Sequence, residues 1–313
     1  MSFVTNEEPL GAAKSTAFQE TISGGLYFDV FVIILLENKN IGSIYNSSSA
    51  PYLTALANAG ALLHNHTAID HPSEPNYIAL GSGLAGDCSD PTPNIGGCLS
   101  GGGDSTSDSS PTSPGGSFSM STASLADSLE TGSLTWSAYL EGSSGGNDQG
   151  FGTAYHAWPL FFDNIMNVPS RYNHCKSFST TSPTNLLAEL NTSTGSNLIW
   201  INPDNNHNMH DNSVSSGDTY MSNLIPQICN TNVFLNKRAV LCVTFDEGSQ
   251  SYPNDFLYTV FSGSNNTTKL NFSSTIQHTH YSLLHTLLNN WGLPSLQSTD
   301  SNANLMTEVF VGH

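Results

Sequence analysis

The chain alternates between short, almost uninterrupted apolar runs and segments whose apolar residues recur every three or four positions. Phe28 to Leu36 (FDVFVIILL), Asn197 to Asn202 (NLIWIN) and Ala239 to Phe245 (AVLCVTF) are of the first kind. Rich in β-branched residues and lacking polar alternation, they predict strands covered on both faces, as in a parallel sheet. Leu134 to Leu140 and Phe256 to Phe261 predict two more strands. Between them lie predicted helices. Pro51 opens one that runs to Asn58 and is ended by Gly60, and Pro75 to Leu80 begins another. Ser124 to Glu130, Pro183 to Leu190 and Thr219 to Cys229 have helical spacing, as does Tyr281 to Trp291, which stops at Gly292 and Pro294. Strands alternating with helices predict an α/β fold with a mostly parallel central sheet flanked by helices. No internal repeat or domain boundary interrupts the pattern, so residues 1–313 are expected to form a single domain. The Gly/Ser/Pro-rich stretch at about 84–119, with GGGDSTSDSSPTSPGG at its centre, reads as an insertion near the site.

Charge changes the picture. Only 10% of the 313 residues are Asp, Glu, Lys or Arg, and seven Lys and Arg face 25 Asp and Glu, a formal net charge of −18. Nucleic-acid binding needs clustered bases and is excluded as an expectation. A surface of Ser, Thr, Asn and Gly gains little positive charge on acidification, which points to a secreted protein working outside the cell, in acid. The sequons at Asn46, Asn65, Asn191, Asn265, Asn266 and Asn271 agree with a glycoprotein. No apolar run reaches the ~18 residues of a membrane span. The first residues carry Glu7, Glu8 and Glu20 and lack a signal-peptide core.

Of the five cysteines, Cys88 and Cys98 bracket a Pro/Gly-rich loop that a local disulfide would staple. Cys175 and Cys229 are a second candidate pair, and Cys242, within AVLCVTF, is expected to be a buried thiol.

In open α/β sheets, ligands bind at the carboxyl ends of the strands. Glu37-Asn38 follows FVIILL, PDNNHNMHD with His207, His210 and Asp211 follows NLIWIN, and Asp246-Glu247-Gly248 follows AVLCVTF. HPSEPN, with His71, Ser73 and Asn76, lies between the first two helices, and His278 and His280 precede the last long one. Each has an ordinary use: a helix cap for Glu37-Asn38, a turn for Asp246-Glu247-Gly248 and for Ser73 between two prolines. Together, in a chain this poor in charge, they predict a crevice of oxygen and imidazole ligands suited to a hard or borderline divalent cation. A phosphoryl group needs concentrated positive charge, and only Lys39 among the few bases falls inside these motifs, so a metal ion is the expected substitute.

FVIILLEN, HPSEPNYIALGSG, NNHNMHD, VTFDEG and HTHYSLLHTLLNNWGLP, in that order from Phe28 to Pro294, resemble the phosphoesterase family. That family joins acid phosphatases and phospholipases C within the alkaline phosphatase superfamily. The resemblance implies an alkaline-phosphatase-like fold and metal-assisted hydrolysis of phosphate esters through a phosphoserine at Ser73. It implies a metal held by Glu37, Asn38, Ser73, Asp246 and Glu247, with Zn, Mn, Fe, Mg and Ca all open as its identity. It further implies Asn38, Asn76 and His156 as substrate contacts, and His207, His210 and His280 as catalytic histidines around the phosphate or leaving group. His156 corresponds to a Lys/Arg-His-Asn-Pro-Phe segment of relatives, which reads Tyr155-His156-Ala157-Trp158-Pro159-Leu160 here.

A secreted acid phosphatase acting on monoesters is the leading expectation. A phosphodiesterase or phospholipase C is the alternative, for which Tyr155, Trp158, Leu160, Phe161 and Phe162 would have to form an exposed apolar rim rather than core. A non-catalytic cell-surface or adhesion protein on the same fold is the alternative of another class. A sulfatase is disfavoured because no arginine follows Pro75 in the required place.

Overall fold

The computed structural model describes residues 24–71, 73–84, 121–142, 157–179, 183–249, 255–264 and 266–312. Its strands are β1 (Val30–Leu36), β2 (Ala61–Leu63), β3 (His66–Thr67), β4 (Trp136–Glu141), β5 (Cys175–Phe178), β6 (Leu198–Asn202), β7 (Ala239–Phe245), β8 (Thr259–Gly263), β9 (Phe272–Ser274) and β10 (His278–Thr279). Eight of them form one sheet in the order β5-β4-β6-β1-β7-β8-β2-β9, and β10 pairs with β3 in a separate ribbon. β8 runs antiparallel to both β7 and β2, and the other pairings are parallel.

The apolar runs lie at the centre for the reason their composition implies. All seven residues of β1 are buried, with Phe31, Ile33 and Leu35 in one core and Val30, Val32, Ile34 and Leu36 in the other. Successive side chains of a strand point to opposite faces, so a strand with helices on both sides must be apolar throughout. One face is covered by helices Glu74–Ser82, Leu125–Thr131 and His280–Asn290, the other by Pro51–Ala59, Thr184–Leu190 and Val214–Cys229.

Pro51–Ala59 ends at Gly60 as expected, and Ser124 closes a capping box with Asp127 at the start of Leu125–Thr131. Val214–Cys229 starts five residues before the periodic stretch from Thr219, because Ser213 caps it by accepting from the Ser216 amide. Trp158, Leu160, Phe161 and Phe162 are fully buried in the first core, so they form no apolar rim. Phe161 lies 6.4 Å from the Tyr77 ring and so braces helix Glu74–Ser82 from below. Residues 85–119 of the expected insertion, with Cys88 and Cys98, lie outside the described residues. The second candidate disulfide is absent: Cys175, Cys229 and Cys242 are free thiols, and burial pushes Cys175 and Cys229 up to about 12.

Candidate active site

β1, β6 and β7 are adjacent and parallel, so the residues that follow them emerge side by side at one edge of the sheet. Glu37 continues β1 and is fully buried, its amide bonded to the Asn208 carbonyl 2.9 Å away beyond β6. Asn38 turns the chain through a left-handed conformation (φ 59°), which asparagine tolerates better than most residues. Its amide donates to Asp246 Oδ1 beyond β7 at 3.2 Å, tying the two strand ends together.

Ser73 is delivered from across the crevice. It occupies the N-cap position of helix Glu74–Ser82 and is 2% exposed. Its hydroxyl donates to Glu37 Oε2 at 3.1 Å and lies 3.4 Å from Glu247 Oε1. One turn along the same helix, the Tyr77 hydroxyl donates to Glu37 Oε1. Glu37, Asp246 and Glu247 are thus gathered around one hydroxyl with almost no access to water.

Two oxygens of this cluster have no hydrogen-bond donor, Asn38 Oδ1 and Asp246 Oδ2, and both are buried. Buried acceptors are nearly always satisfied. Burial, with Glu37 and then Glu247 beside it, holds the Asp246 carboxyl well above the usual carboxylate range. Concentrated carboxylates and orphaned oxygen acceptors are the donor set a hard divalent cation would satisfy.

Residues 14–271 match the model of the Phosphoesterase family. The chain belongs to that family. Membership makes it a phosphoric ester hydrolase, in keeping with its relatives. It is 27% identical to the phosphate-repressible acid phosphatase of Penicillium chrysogenum, covering 97% of this chain and 71% of that one. It is 28% identical to an acid phosphatase of Aspergillus niger, covering 90% of this chain but only 63% of the fungal protein. A phosphatidylinositol-3-phosphatase of Mycobacterium tuberculosis is 29% identical over 89% of this chain and 82% of its own. Among solved structures, an alkaline phosphatase superfamily protein of Vibrio parahaemolyticus superposes with a TM-score of 0.55 at 13% identity, covering 90% of this chain and 70% of that chain. The phosphonate monoester hydrolase of Agrobacterium radiobacter gives 0.52 at 10% identity, over 85% and 74%. These two likenesses establish the alkaline-phosphatase-like fold of this phosphoesterase.

The other expected site residues divide. Asn76 is fully buried, and its side chain is spent on the loop before Ser73. Its Oδ1 accepts from the Ile69 amide at 2.8 Å and the Asp70 amide at 3.3 Å, and its Nδ2 donates to the Asp70 carbonyl at 2.7 Å. It holds the loop that leads to the serine. His280 is fully buried with Nε2 on the Asp246 carbonyl, so Nε2 carries the hydrogen. Burial lowers its pKa to about 4. His156 lies outside the described residues.

His207 and His210 are close in sequence but face different partners. His207 Nδ1 is 3.1 Å from Glu141 Oε2 and 2.8 Å from Asp204 Oδ1, and its ring stacks on Tyr220 at 4.5 Å. Glu141, Asp204 and His207 present ligand atoms within 4.8 Å of one another, a second grouping able to hold a metal. Burial raises the Glu141 carboxyl to about 7. His210 is half-exposed, with Nδ1 on Asp211 Oδ1 at 2.6 Å. Neither ring hydrogen-bonds to Ser73, Glu37 or Glu247. The segment between them does reach the site: Lys39 Nζ donates to the Met209 carbonyl at 2.9 Å.

The structure adds Tyr77, Asn40, Asp255, Glu141 and Asp204, and gives His71 its partners. Tyr77 was legible as the residue one helical turn beyond Ser73. His71 stands in the HPSEPN motif, but its role was not. Its two ring nitrogens lie 2.8 Å from Glu247 Oε2 and 3.1 Å from Asp255 Oδ2. Those two bonds, the one to Asp255 foremost, raise it to about 10.

Proposed function

We propose that this phosphoesterase is a phosphomonoesterase of the acid-phosphatase kind that passes the phosphoryl group through Ser73. The observation that carries the reading is the Ser73 hydroxyl, buried and directed at Glu37 Oε2 among three carboxylates with two orphaned acceptors beside it. Glu37, Asn38, Asp246, Glu247 and the serine oxygen are the residues that would hold a divalent cation. Such an ion supplies the positive charge that favours the serine alkoxide and offsets charge on the phosphoryl oxygens.

The chain's own residues do the rest. Glu37 receives the hydroxyl hydrogen, and Tyr77 fixes that carboxylate from the other side. The remaining amide hydrogen of Asn76 is available to a phosphoryl oxygen. His210, oriented by Asp211 and open to solvent, is suited to protonate the leaving alkoxide. Water then releases phosphate from the phosphoserine.

The test is p-nitrophenyl phosphate hydrolysis from pH 3 to 8 with wild type and Ser73→Ala, with and without chelator, and acid-quench trapping of a labelled phosphoenzyme. Loss of both turnover and label in the variant, and of turnover with chelator, is the expected result. A wild type that turns over without ever carrying label would rule out the serine step.

A phosphoinositide headgroup is a second substrate reading within the same chemistry. It is favoured by the 82% of the Mycobacterium phosphatidylinositol-3-phosphatase that aligns. Comparing phosphatidylinositol 3-phosphate with soluble monoesters decides it. An extracellular setting is supported by exposed sequons at Asn46, Asn191, Asn266 and Asn271. A mobility shift on deglycosylating the protein from its own host tests that setting.

A further inference from the structure

Asp255 lies just before β8, in the loop that follows the VTFDEG motif, and is fully buried. Its Oδ1 accepts from Asn40 Nδ2 at 2.9 Å, and its Oδ2 accepts from the Gly248 amide at 2.7 Å. Asn40 in turn accepts from the amide and hydroxyl of Ser249, at 2.9 and 2.6 Å. A side chain at Gly248 would collide with Asp255 and Asn40, so this packing is possible only around glycine. The result is a rigid carboxylate anchored to the segments that follow β1 and β7.

His71 connects that anchor to the reaction centre. One ring nitrogen faces Asp255 Oδ2 and the other faces Glu247 Oε2, while Glu247 Oε1 faces the Ser73 hydroxyl. Both ring nitrogens face carboxylate oxygens, so the ring braces Glu247 against Asp255 rather than pointing a nitrogen at the reaction centre. What it does is fix the rotation of the Glu247 carboxylate, and thereby the direction of the oxygen nearest the nucleophile.

We propose that His71, anchored by Asp255, is a positioning residue that orients Glu247 for the divalent cation of the site. The proposal rests on the reading that this site holds such a cation. An imidazole bridging a ligand carboxylate to a second, buried carboxylate acts on affinity through geometry, as outer-sphere partners of metal ligands do.

Calorimetric titration of the full chain with Mn²⁺ alone tests it, using wild type, His71→Ala, His71→Gln, Asp255→Asn and the double variant His71→Ala/Asp255→Asn. His71→Ala is expected to weaken Mn²⁺ binding about 10- to 100-fold. Asp255→Asn should shift it in the same direction, and the double variant should be no weaker than His71→Ala, because the two act in series. The kcat lost by His71→Ala at low Mn²⁺ should return at saturating Mn²⁺. If His71→Ala does not fold, His71→Gln, which keeps one donor nitrogen, is read in its place. Wild-type Mn²⁺ affinity in the folded His71 variants would overturn the proposal, as would a kcat deficit that persists at saturating Mn²⁺. A wild type that takes up no Mn²⁺ would instead defeat the cation reading itself, a distinct result.

Discussion

Ser73 and Tyr77 stand one helical turn apart and hand their hydroxyls to the two oxygens of one carboxylate, Glu37. The helix sets the spacing of the two donors, and β1 sets the position of the acceptor. Tyr77→Phe should therefore lower stability by about 1–3 kcal/mol through loss of a buried, charge-assisted bond. It should also lower kcat/KM by roughly 10-fold by loosening Glu37. Urea denaturation beside steady-state kinetics checks both, and a change in stability alone would show that Tyr77 only fills space.

Asn38 combines an unusual backbone with an orphaned oxygen, and two substitutions separate them. Asn38→Gly keeps the left-handed turn and removes the side chain. Asn38→Ala removes the side chain and adds about 1 kcal/mol of backbone strain. Metal affinity is expected to fall equally in both, with only the alanine variant melting earlier. Unchanged affinity in Asn38→Gly would show that the residue is there for its turn alone.

Gly248→Ala places a methyl group where Asp255 and Asn40 already lie. The anchor behind His71 must then shift, and activity should fall while the bulk of the fold survives. Circular dichroism with p-nitrophenyl phosphate kinetics checks this, and full activity would mean the Asp255 network is dispensable.

Glu189 makes a separate statement about acid. Burial alone would raise its pKa, but Lys176 at 2.5 Å, the Ser196 amide and the Tyr139 hydroxyl more than reverse that and bring it to about 2. A carboxyl whose folded pKa is depressed contributes stability above its unfolded value near 4.5, and that contribution is lost as pH falls through the folded value. Glu189→Gln should cost roughly 2–3 kcal/mol at pH 7 and close to nothing at pH 2. Thermal melts from pH 2 to 7 test this, and a pH-independent difference would place the effect in packing.

Much of this protein was decided locally. The run FDVFVIILL has no polar face, so it can only be a strand between two layers of helices, and AVLCVTF and NLIWIN obey the same rule. Once those strands lie parallel, whatever follows them must emerge at one edge, and Glu37, Asp246 and Glu247 become neighbours of necessity. Ser73 could be read as their partner because its motif carries a recognisable order of residues.

Which histidine does what was beyond the sequence. His207 and His210 are three residues apart, yet one turns to Glu141 and Asp204 and the other to Asp211 and solvent. His280 is fully buried with Nε2 on the Asp246 carbonyl, a contact that its place before the last long helix did not announce. Asp255 and His71 meet across 184 positions only after β8 has paired antiparallel with β7. Periodicity fixes which face of an element is apolar, whereas the partner of a polar side chain depends on which distant loop the closed sheet brings to it.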